Sequence, residues 1–223
     1  YQGKILLNES KIDNRNGYEI GYLPQHFGLF PELTVYEMLN YMCNIQRVEK
    51  KKRSDIIAQC LNQVNLTDKR NVKIRKLSGG MIRRVGIAQT LLSNPKVIIF
   101  DEPTAGLDPE ERMRFKEIIS NLNRNKIIII STHIVEDVEA CCDHIIVIDQ
   151  GRIIKIGTVQ EIENVAKHRV KEVDKTDDKN ILYVEKSYLK NGLKRYRVLC
   201  RNEETDYVDA TVEDGYLWLL KEK

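Results

Sequence analysis

The sequence has few of the features that mark membrane-spanning, disordered or fibrous proteins. Its apolar runs are short: residues 97–100 and 127–130 are runs of four, whereas a membrane-spanning helix needs about 18 or more. Glycine and proline are scarce, with 12 and 5 among 223 residues, which is too few for a disordered or collagen-like chain. Hydrophobic residues make up 42% of the chain, enough to bury the core of a globular protein.

Cysteine is also rare and without pattern. The five cysteines are an odd number, and no two have the C-x-x-C spacing, which argues against a disulfide framework or a zinc site and favours a reducing compartment. A large excess of one charge is missing too, because 36 basic and 33 acidic residues leave a net charge of +3. This balance gives no reason to expect nucleic acid as a partner.

Short apolar segments alternate with segments of helical periodicity, which is typical of an α/β fold with a mostly parallel sheet. Three apolar strands, of the kind that is buried on both faces, are predicted at residues 97–100, 126–131 and 144–149. Shorter strands are predicted at 3–8 and 19–23, with a turn between them at 13–17. Helices are predicted at 35–43, 54–64, 79–92 and 110–122, and that at 79–92 is expected to be amphipathic.

The composition changes at residue 167. Nine of the thirteen residues from 167 to 179 are charged, with both signs mixed, which favours a solvated hinge or an exposed helix end over a membrane-binding patch. Strands are predicted at 181–185, 195–201 and 207–210, and Thr211 and Asp214 match a capping box for a last helix. The predicted division is a main domain over 1–166, a linker over 167–179 and a small α+β appendage over 180–223.

The strongest motif is Leu77-Ser78-Gly79-Gly80, which precedes a predicted helix. Ser78 is a good N-cap residue, and the two glycines allow a ligand to approach the amides of the first helical turn. Free N–H groups and the positive end of the helix dipole together favour an anion, best a phosphate. An ordinary Ser-Gly helix start has the same sequence, so the motif alone is only suggestive.

Polar residues also follow three predicted strands, at the carboxyl ends where ligands bind in open α/β sheets. Asp101 and Glu102 suit a site where one acid holds Mg²⁺ on a nucleotide and the other polarises a water. His133, after the next strand, suits a bond to the terminal phosphate, and Gln25 can reach a metal or a water while uncharged. Any one of these residues could instead be structural or occur by chance. Adjacent acids also solvate loops or cap helices, and a lone histidine is usually structural.

Asp108 and Pro109 follow in the run Ala105-Gly106-Leu107-Asp108-Pro109. Asp108 is a good N-cap residue, and Pro109 fits the first helical position. The run therefore predicts a helix start. A catalytic role is compatible with capping, so Asp108 alone does not distinguish a catalytic site from an ordinary helix start.

Taken in this order, the motifs resemble those of the ATP-binding cassette (ABC) ATPases, over residues 3 to about 166. The matches are Gln25 to the Q-loop, residues 77–80 to the signature motif, residues 97–102 to the Walker B strand, residues 105–108 to the D-loop and His133 to the switch histidine. The resemblance implies a P-loop NTPase-like, mostly parallel sheet with an inserted helical subdomain over about 32–76. Four aromatic residues in or just before this subdomain could line its groove for a membrane partner or form its core: Phe27, Phe30, Tyr36 and Tyr41.

The resemblance also implies the chemistry. In this family two cassettes pack head to tail, and each ATP lies between the phosphate loop of one cassette and the signature helix of the other. Mg·ATP hydrolysis then proceeds by in-line attack of water on the γ-phosphate. The residues implied are Glu102, His133 and Gln25 for catalysis, Ser78, Gly79, Gly80 and Asp108 for nucleotide binding, and Asp101 and Gln25 for Mg²⁺.

One family motif is absent from the 223 residues. Complete members carry G-x-x-x-x-G-K-[ST], whose amides and lysine hold the phosphates, whereas Gly3-Lys4 is followed by Ile5 and has no upstream glycine. Two explanations are open. Either the parent chain has a further N-terminal segment, which the presence of Glu102 and His133 favours, or the protein is a naturally incomplete copy.

The resemblance implies the ATP-hydrolysing subunit of a membrane transporter, with ATP and Mg²⁺ as cofactors. The implied partners are a transmembrane permease subunit and a second cassette, as a homodimer or a heterodimer. The implied location is the cytoplasmic face of the cell membrane, peripheral and without insertion into the bilayer. Residues 209–217 are similar to the tail of drug and antibiotic-peptide exporter subunits, which favours export.

Two other functions are open. One is a non-transport ABC ATPase that acts on nucleic acid or ribosomes, which the near-neutral charge and the lack of a coiled-coil insert or second cassette in the sequence disfavour. The other is a nucleotide-sensing or scaffolding module without catalysis, which only the absent phosphate loop favours.

Overall fold

The computed structural model describes residues 3–12, 17–122 and 125–222 of the chain. The chain divides into two compact units, Tyr1–His133 and Ile134–Lys223. Each unit contains fully buried apolar side chains, such as Phe100 in the first and Val198 in the second. The turn predicted at residues 13–17 lies, apart from Gly17, outside the described residues.

Among its described residues, the first unit combines short strands with four α-helices. In chain order its elements are β1 (Leu6–Leu7), β2 (Ser10–Lys11), β3 (Ile20–Leu23), α1 (Val35–Ile45), α2 (Arg53–Gln63), α3 (Gly79–Leu91), β4 (Val97–Asp101), α4 (Pro109–Asn121) and β5 (Ile127–Ser131). Single turns of 3-10 helix occur at Gly17–Glu19, Lys50–Lys52, Thr67–Lys69 and Ile74–Lys76. The four predicted helices are all confirmed, with ends that differ by one or two residues.

A parallel sheet in the order β3-β4-β5 forms the centre of this unit. The middle strand β4 places Ile98 and Phe100 in the core, where both are fully buried. The register pairs Leu23 with Phe100, and Asp101 with Ser131. Since the three strands run in the same direction, the residues that follow them meet at one edge of the sheet. The predicted α/β class and parallel sheet are confirmed.

Helix α1 shows how local sequence positions an element. Thr34 caps the helix: its side chain accepts a hydrogen bond from the Glu37 amide, and the Glu37 carboxylate accepts one from the Thr34 amide. This reciprocal capping box satisfies backbone donors that a helix start leaves free. The predicted apolar face is buried at Val35, Met38, Leu39 and Cys43, while Met42 is only half-buried.

The strand predicted at residues 3–8 is mostly wrong. Only β1 is a strand there, and it forms an antiparallel hairpin with β2. Asn8 and Glu9 between the two strands have φ of 49° and 63°, as a tight hairpin turn requires. Asparagine tolerates this left-handed conformation, so Asn8 ends the strand instead of extending it.

The prediction that the strand at residues 126–131 is buried on both faces is also wrong. Ile127 and Ile129 are 63% and 49% exposed, whereas Ile128 and Ile130 are half-buried. β5 is an edge strand of the β3-β4-β5 sheet, and its alternate side chains point to opposite faces. A run of four isoleucines cannot distinguish one-sided from two-sided burial, because the layers that cover a strand come from elsewhere in the chain.

The second unit is built from antiparallel strands and three helices among its described residues. In chain order its elements are α5 (Val135–Cys141), β6 (His144–Asp149), β7 (Arg152–Thr158), α6 (Val159–Glu163), β8 (Val170–Val173), β9 (Ile181–Lys190), β10 (Leu193–Cys200) and α7 (Val212–Lys221). A 3-10 turn at Asn164–Ala166 follows α6. The strands form a β6-β7 hairpin and a sheet in the order β8-β10-β9.

The strand predicted at residues 144–149 is present, but the prediction that it is buried on both faces is wrong. β6 is present, but it pairs antiparallel with β7 and only its Val147 is buried. Ile146 and Ile148 are more than half exposed. The turn at Gln150 and Gly151 has positive φ at both residues, which joins two antiparallel strands directly and explains why this strand is not parallel.

The charged segment 167–179, predicted to be solvated, contains strand β8. Its Val170 is fully buried, and the charged neighbours Lys171 and Glu172 form ion pairs with Glu204 and Lys190 at 2.9 and 3.1 Å. These partners lie far along the chain, so the charge count alone could not reveal the strand. The strand predicted at 207–210 is wrong, and β9 is longer than predicted.

Helix α7 closes a small core in this unit. Its start is the predicted capping box, in which the Thr211 amide and hydroxyl donate to Asp214 and the Asp214 amide donates to the Thr211 hydroxyl oxygen. The core cluster comprises Ala166, Val170, Leu199 and Trp218. Gly215 lets α7 approach α6 closely, because an added Cβ would lie 2.0 Å from the carbonyl oxygen of Ile162.

Gly215→Ala is therefore expected to lower the free energy of unfolding by about 1–3 kcal/mol, because the extra methyl forces a backbone shift. Trp218 is the single tryptophan, so its fluorescence in a denaturant titration reports this unit. Glu213→Ala, at an exposed position of the same helix, should change stability by less than about 0.5 kcal/mol. A Gly215→Ala protein that unfolds at the wild-type midpoint would contradict the close approach of the helices.

Candidate active site

Glu102 follows β4 and has an unusual backbone conformation, with φ of 45°. Its amide donates a hydrogen bond to the Ser131 carbonyl oxygen of β5 at 2.8 Å. Non-glycine residues rarely adopt positive φ, and such positions persist only where surrounding contacts hold them. The carboxylate is 18% exposed, so it can be reached from solvent at the edge of the sheet.

His133 lies beside this carboxylate. Its Nδ1 is 2.8 Å from Glu102 Oε1, and the imidazole is 75% exposed. With Glu102 ionised, the carboxylate accepts this hydrogen bond and Nδ1 carries the proton. The Thr132 hydroxyl lies 3.5 Å from Glu102 Oε2. The structure thus joins two of the predicted catalytic residues from neighbouring strands, as the parallel sheet predicts.

Asp101 and Gln25 lie at the same edge. The Tyr22 hydroxyl donates to Asp101 Oδ2 at 3.5 Å, and the Asp101 side chain is half-buried. Gln25 follows β3 and is exposed, while its backbone carbonyl oxygen accepts a hydrogen bond from Arg83 at 2.8 Å. All four residues predicted at the strand ends therefore belong to one edge of the sheet.

The predicted helix start at Ser78 is confirmed. Ser78 Oγ accepts a hydrogen bond from the Met81 amide at 3.2 Å, which satisfies one free donor of the first turn. Gly79 is exposed, and an added Cβ there would meet nothing within 4 Å. Gly80 is buried, and an added Cβ would lie 2.3 Å from the Glu111 side chain. A side chain at position 80 would therefore displace the Glu111 side chain, whereas Gly79 leaves the helix start open.

Asp108 begins α4 as predicted. Its Oδ1 accepts a hydrogen bond from the Glu111 amide at 2.9 Å, and Pro109 occupies the first helical position. The preceding Gly106 has φ of 74°, a conformation that favours glycine. A cavity of about 300 Å³ lies between this loop, Gln25 and Gly79. The three predicted loops thus border one open space in the first unit.

Helix α3 is not the amphipathic helix that its sequence predicts. All six residues 83–88 are buried, including Arg83 and Arg84. Burying a charged group is costly unless hydrogen bonds satisfy it, and both guanidinium groups are surrounded by oxygen atoms. Arg84 donates to the carbonyl oxygens of Val64 and Asn65 at 3.2 Å and forms an ion pair with Glu111 at 3.2 Å.

Arg83 is the residue of this site that sequence reasoning missed. Its guanidinium donates hydrogen bonds to five backbone carbonyl oxygens, those of Pro24, Gln25, Asp101, Glu102 and Pro103. The five acceptors lie at the end of β4 and in the loops that follow β3 and β4. The only signal in the sequence is a charged residue one turn after Gly79, and many surface helices carry such a residue.

Comparison with known proteins places this site in a family. A sequence model of the ABC transporter family matches residues 1–105. The lipopolysaccharide export system ATP-binding protein LptB of Haemophilus influenzae is 36% identical over 170 residues, which cover 73% of this chain and 70% of LptB. The chain belongs to the ABC transporter family. The residues matched by the family model include Gln25, residues 77–80 and residues 97–102.

Other ABC proteins share parts of the chain. The linearmycin resistance ATP-binding protein LnrL of Bacillus subtilis is 40% identical over 148 residues, which cover 65% of this chain and 47% of LnrL. The structure of CbiO1 from Clostridium perfringens, part of the ABC transporter complex CbiONQ, has a TM-score of 0.65 and 29% identity, covering 72% of this chain and 68% of CbiO1. The chain spans about half the length of several curated relatives that it matches.

Proposed function

We propose that the protein is the ATP-hydrolysing subunit of a membrane transporter. The observation that carries the proposal is the contact between Glu102 and His133, 2.8 Å apart at the carboxyl edge of a parallel sheet. This pair places a carboxylate and an imidazole where an α/β sheet binds its ligand. Membership of the ABC transporter family supplies the substrate class, a nucleoside triphosphate.

In the proposed reaction Glu102 orients a water for in-line attack on the γ-phosphate. Its carboxylate accepts a hydrogen bond from that water and another from His133 Nδ1, and the His133 ring would contact the departing phosphate. The exposed imidazole supports this role, because a ligand can reach it without a conformational change. Gln25 contacts the metal or the water from the loop after β3.

Asp101 is the proposed ligand of Mg²⁺. Proteins bind Mg²⁺ through one or two carboxylates together with substrate phosphates. Within the described ranges, no group of three or more histidine, cysteine or acidic residues is arranged to hold a metal ion. A single carboxylate at the end of β4 therefore fits an ion that binds together with nucleotide phosphates. When bound, Mg²⁺ would neutralise charge on the phosphates.

The start of α3 is the proposed contact with a second nucleotide. Ser78, Gly79 and Gly80 would offer amides to the ATP held by another cassette, and Asp108 would approach the same interface. The open space above Gly79 supports this role. The second cassette, as a homodimer or a heterodimer partner, and a transmembrane permease are the proposed protein partners.

An exposed aromatic pair supports contact with a permease. Phe30 and Tyr41 are 52% and 44% exposed, and their rings pack edge to face with centroids 5.4 Å apart. The alternative that they belong to a core is therefore wrong for these two residues. Tyr36 lies under the Arg70 guanidinium at 4.3 Å. Within the proposed domain 1–166, Tyr41 belongs to the inserted subdomain at about 32–76, and Phe30 lies just before its start.

Export is the proposed direction of transport. The tail at residues 209–217 resembles that of exporter subunits, and LptB is named for lipopolysaccharide export. Relatives named for methionine import match as well, so uptake into inside-out vesicles, with the permease present, tests the direction. The proposed location is the cytoplasmic face of the membrane. No helix of the described residues is long and apolar enough to span a bilayer.

The 223-residue chain alone is expected to hydrolyse ATP negligibly, because its sequence contains no phosphate loop. Without those amides and that lysine, nothing in the sequence matches the family's means of holding the β- and γ-phosphates. Phosphate release from Mg·ATP, compared with that of a cassette that includes a phosphate loop, checks this expectation. Turnover by the 223-residue chain that disappears in Glu102→Gln would contradict it.

Co-purification separates the proposed function from the two alternatives. The transporter proposal predicts that the protein copurifies with a polytopic membrane protein. Recovery with ribosomes or nucleic acid would instead favour a non-transport ATPase. A complete cassette that binds ATP but never hydrolyses it would favour a sensing or scaffolding module.

A further inference from the structure

Arg83 occupies the space between the two loops that carry Gln25 and Glu102. Its side chain projects from the second turn of α3 and is only 8% exposed. Nε donates to the Pro103 carbonyl oxygen at 2.7 Å. The Phe27 ring, with its centroid 5.6 Å from the guanidinium carbon, covers another side of the group.

The two terminal nitrogens bridge the loops. Nη1 donates to the carbonyl oxygens of Pro24 and Gln25, at 3.4 and 2.8 Å. Nη2 donates to those of Asp101 and Glu102, at 3.2 and 2.5 Å. A guanidinium is planar and has five N–H donors in a fixed geometry. Lysine has three donors on one atom and glutamine has two, so neither can reproduce this set.

The contact with Glu102 is the most consequential of these bonds. Glu102 has φ of 45°, and a non-glycine residue keeps such a conformation only when its neighbours hold it. Its amide is fixed by Ser131, and its carbonyl oxygen is fixed by Arg83. The direction of the carboxylate toward His133 depends on both bonds, because they hold the peptide groups on either side of the Glu102 Cα.

We propose that Arg83 is a positioning residue that holds the Glu102 carboxylate and the Gln25 loop in their catalytic arrangement. The inference rests on the proposed function. Arg83 holds the backbone of these residues, since its donors all point to carbonyl oxygens. A movement of α3 is thereby transmitted to both loops at once.

Arg84 provides a matched control. It is the next residue of α3, is 4% exposed and also holds backbone carbonyl oxygens, but those of Val64 and Asn65. Its ion pair is with Glu111 of α4. Removing donors from Arg84 therefore disturbs the same helix without touching the loops after β3 and β4.

The experiment compares Arg83→Met, Arg83→Lys and Arg84→Lys. Amide hydrogen exchange is measured on the full chain, and steady-state ATP hydrolysis on the assembled transporter. In Arg83→Met, exchange should rise at the Glu102 amide and at the Ala105 amide, which donates to the Glu102 carbonyl oxygen at 3.3 Å. The turnover number should fall about 10- to 100-fold, as for a misplaced catalytic group, while KM for ATP stays within about twofold. Arg83→Lys should recover part of both losses, and Arg84→Lys should leave exchange at Glu102 unchanged.

Two results would overturn the proposal. One is wild-type exchange at the Glu102 amide in folded Arg83→Met, and the other is an equal loss of turnover in Arg84→Lys. If Arg83→Met does not fold, Arg83→Lys decides by the same two readouts. Failure of the proposed function has a different signature: Glu102→Gln would then keep full activity, while the exchange comparison would still report on Arg83.

Discussion

Glu102→Gln in the assembled transporter is expected to lower ATP turnover by at least about 10²-fold, the usual contribution of a positioned acid–base group. Glutamine keeps the size of the side chain but removes the negative charge that accepts a proton or orients a water. The Glu102 backbone, held at φ of 45° by Ser131 and Arg83, should be unchanged. Phosphate release at saturating Mg·ATP measures the loss.

ATP binding should survive this substitution, because the phosphates would be held by other groups. Binding of a fluorescent nucleotide analogue to the same preparation tests this point. The control is Glu110→Gln in α4, whose carboxylate is 75% exposed and paired with Arg114 four residues later. That variant should keep wild-type turnover. Equal activity of the Glu102 and Glu110 variants would contradict the assignment of Glu102 as the catalytic carboxylate.

Arg197→Met in the second unit is expected to cost about 3–5 kcal/mol of stability, because it leaves buried carboxylates without their counter-charge. Arg197 on β10 lies between two of them. Its Nη2 is 2.6 Å from Asp214 Oδ2, its Nε is 2.9 Å from Glu185 Oε2, and it also donates to the Asp209 carbonyl oxygen at 2.7 Å. Asp214 is fully buried, and the Glu185 carboxylate is 2% exposed.

The pKa values of the two acids show why the arginine is needed. Burial raises the pKa of Glu185 above its ordinary value. Burial also acts to raise the pKa of Asp214, but hydrogen bonds from Arg197 and Thr211 outweigh it and hold that pKa below its usual range. Without Arg197 the Asp214 carboxylate keeps its hydrogen bonds within the capping box of α7 but loses its ion pair. Loss of the arginine therefore destabilises the start of the helix that carries Trp218.

The Trp218 fluorescence midpoint in a denaturant titration measures this effect. Arg195→Met is the matched control on the same strand, because Arg195 pairs with the exposed Asp174 at 2.8 Å. Exposed ion pairs contribute about 0–1 kcal/mol, so this variant should unfold close to the wild-type midpoint. Similar midpoints for the two arginine variants would contradict the energetic importance of the buried cluster.

Local sequence was sufficient to predict the starts of helices α3, α4 and α7. The caps at Ser78, Asp108 and Thr211 were predicted and are confirmed. The cause is that a cap and its partner lie three residues apart, so the interaction is contained in a short stretch of chain.

The environment of the strands was not predictable in the same way. β5 and β6 have nearly identical apolar sequences, yet one is the edge of a parallel sheet and the other half of an antiparallel hairpin. β8 lies in the charged segment 167–179, where Lys171 pairs with Glu204 and Glu172 pairs with Lys190. Burial and pairing depend on which distant segment arrives at a strand, and composition does not record that.

The same distinction applies to the candidate site. The order of motifs, the parallel α/β class and the gathering of Gln25, Asp101, Glu102 and His133 at one edge all follow from residue types and from the shared direction of the strands. Two features appear only in the tertiary structure: the contact of Glu102 with His133, and the hydrogen bonds from Arg83 to the loops of Gln25 and Glu102. They join groups that are up to 59 residues apart along the chain.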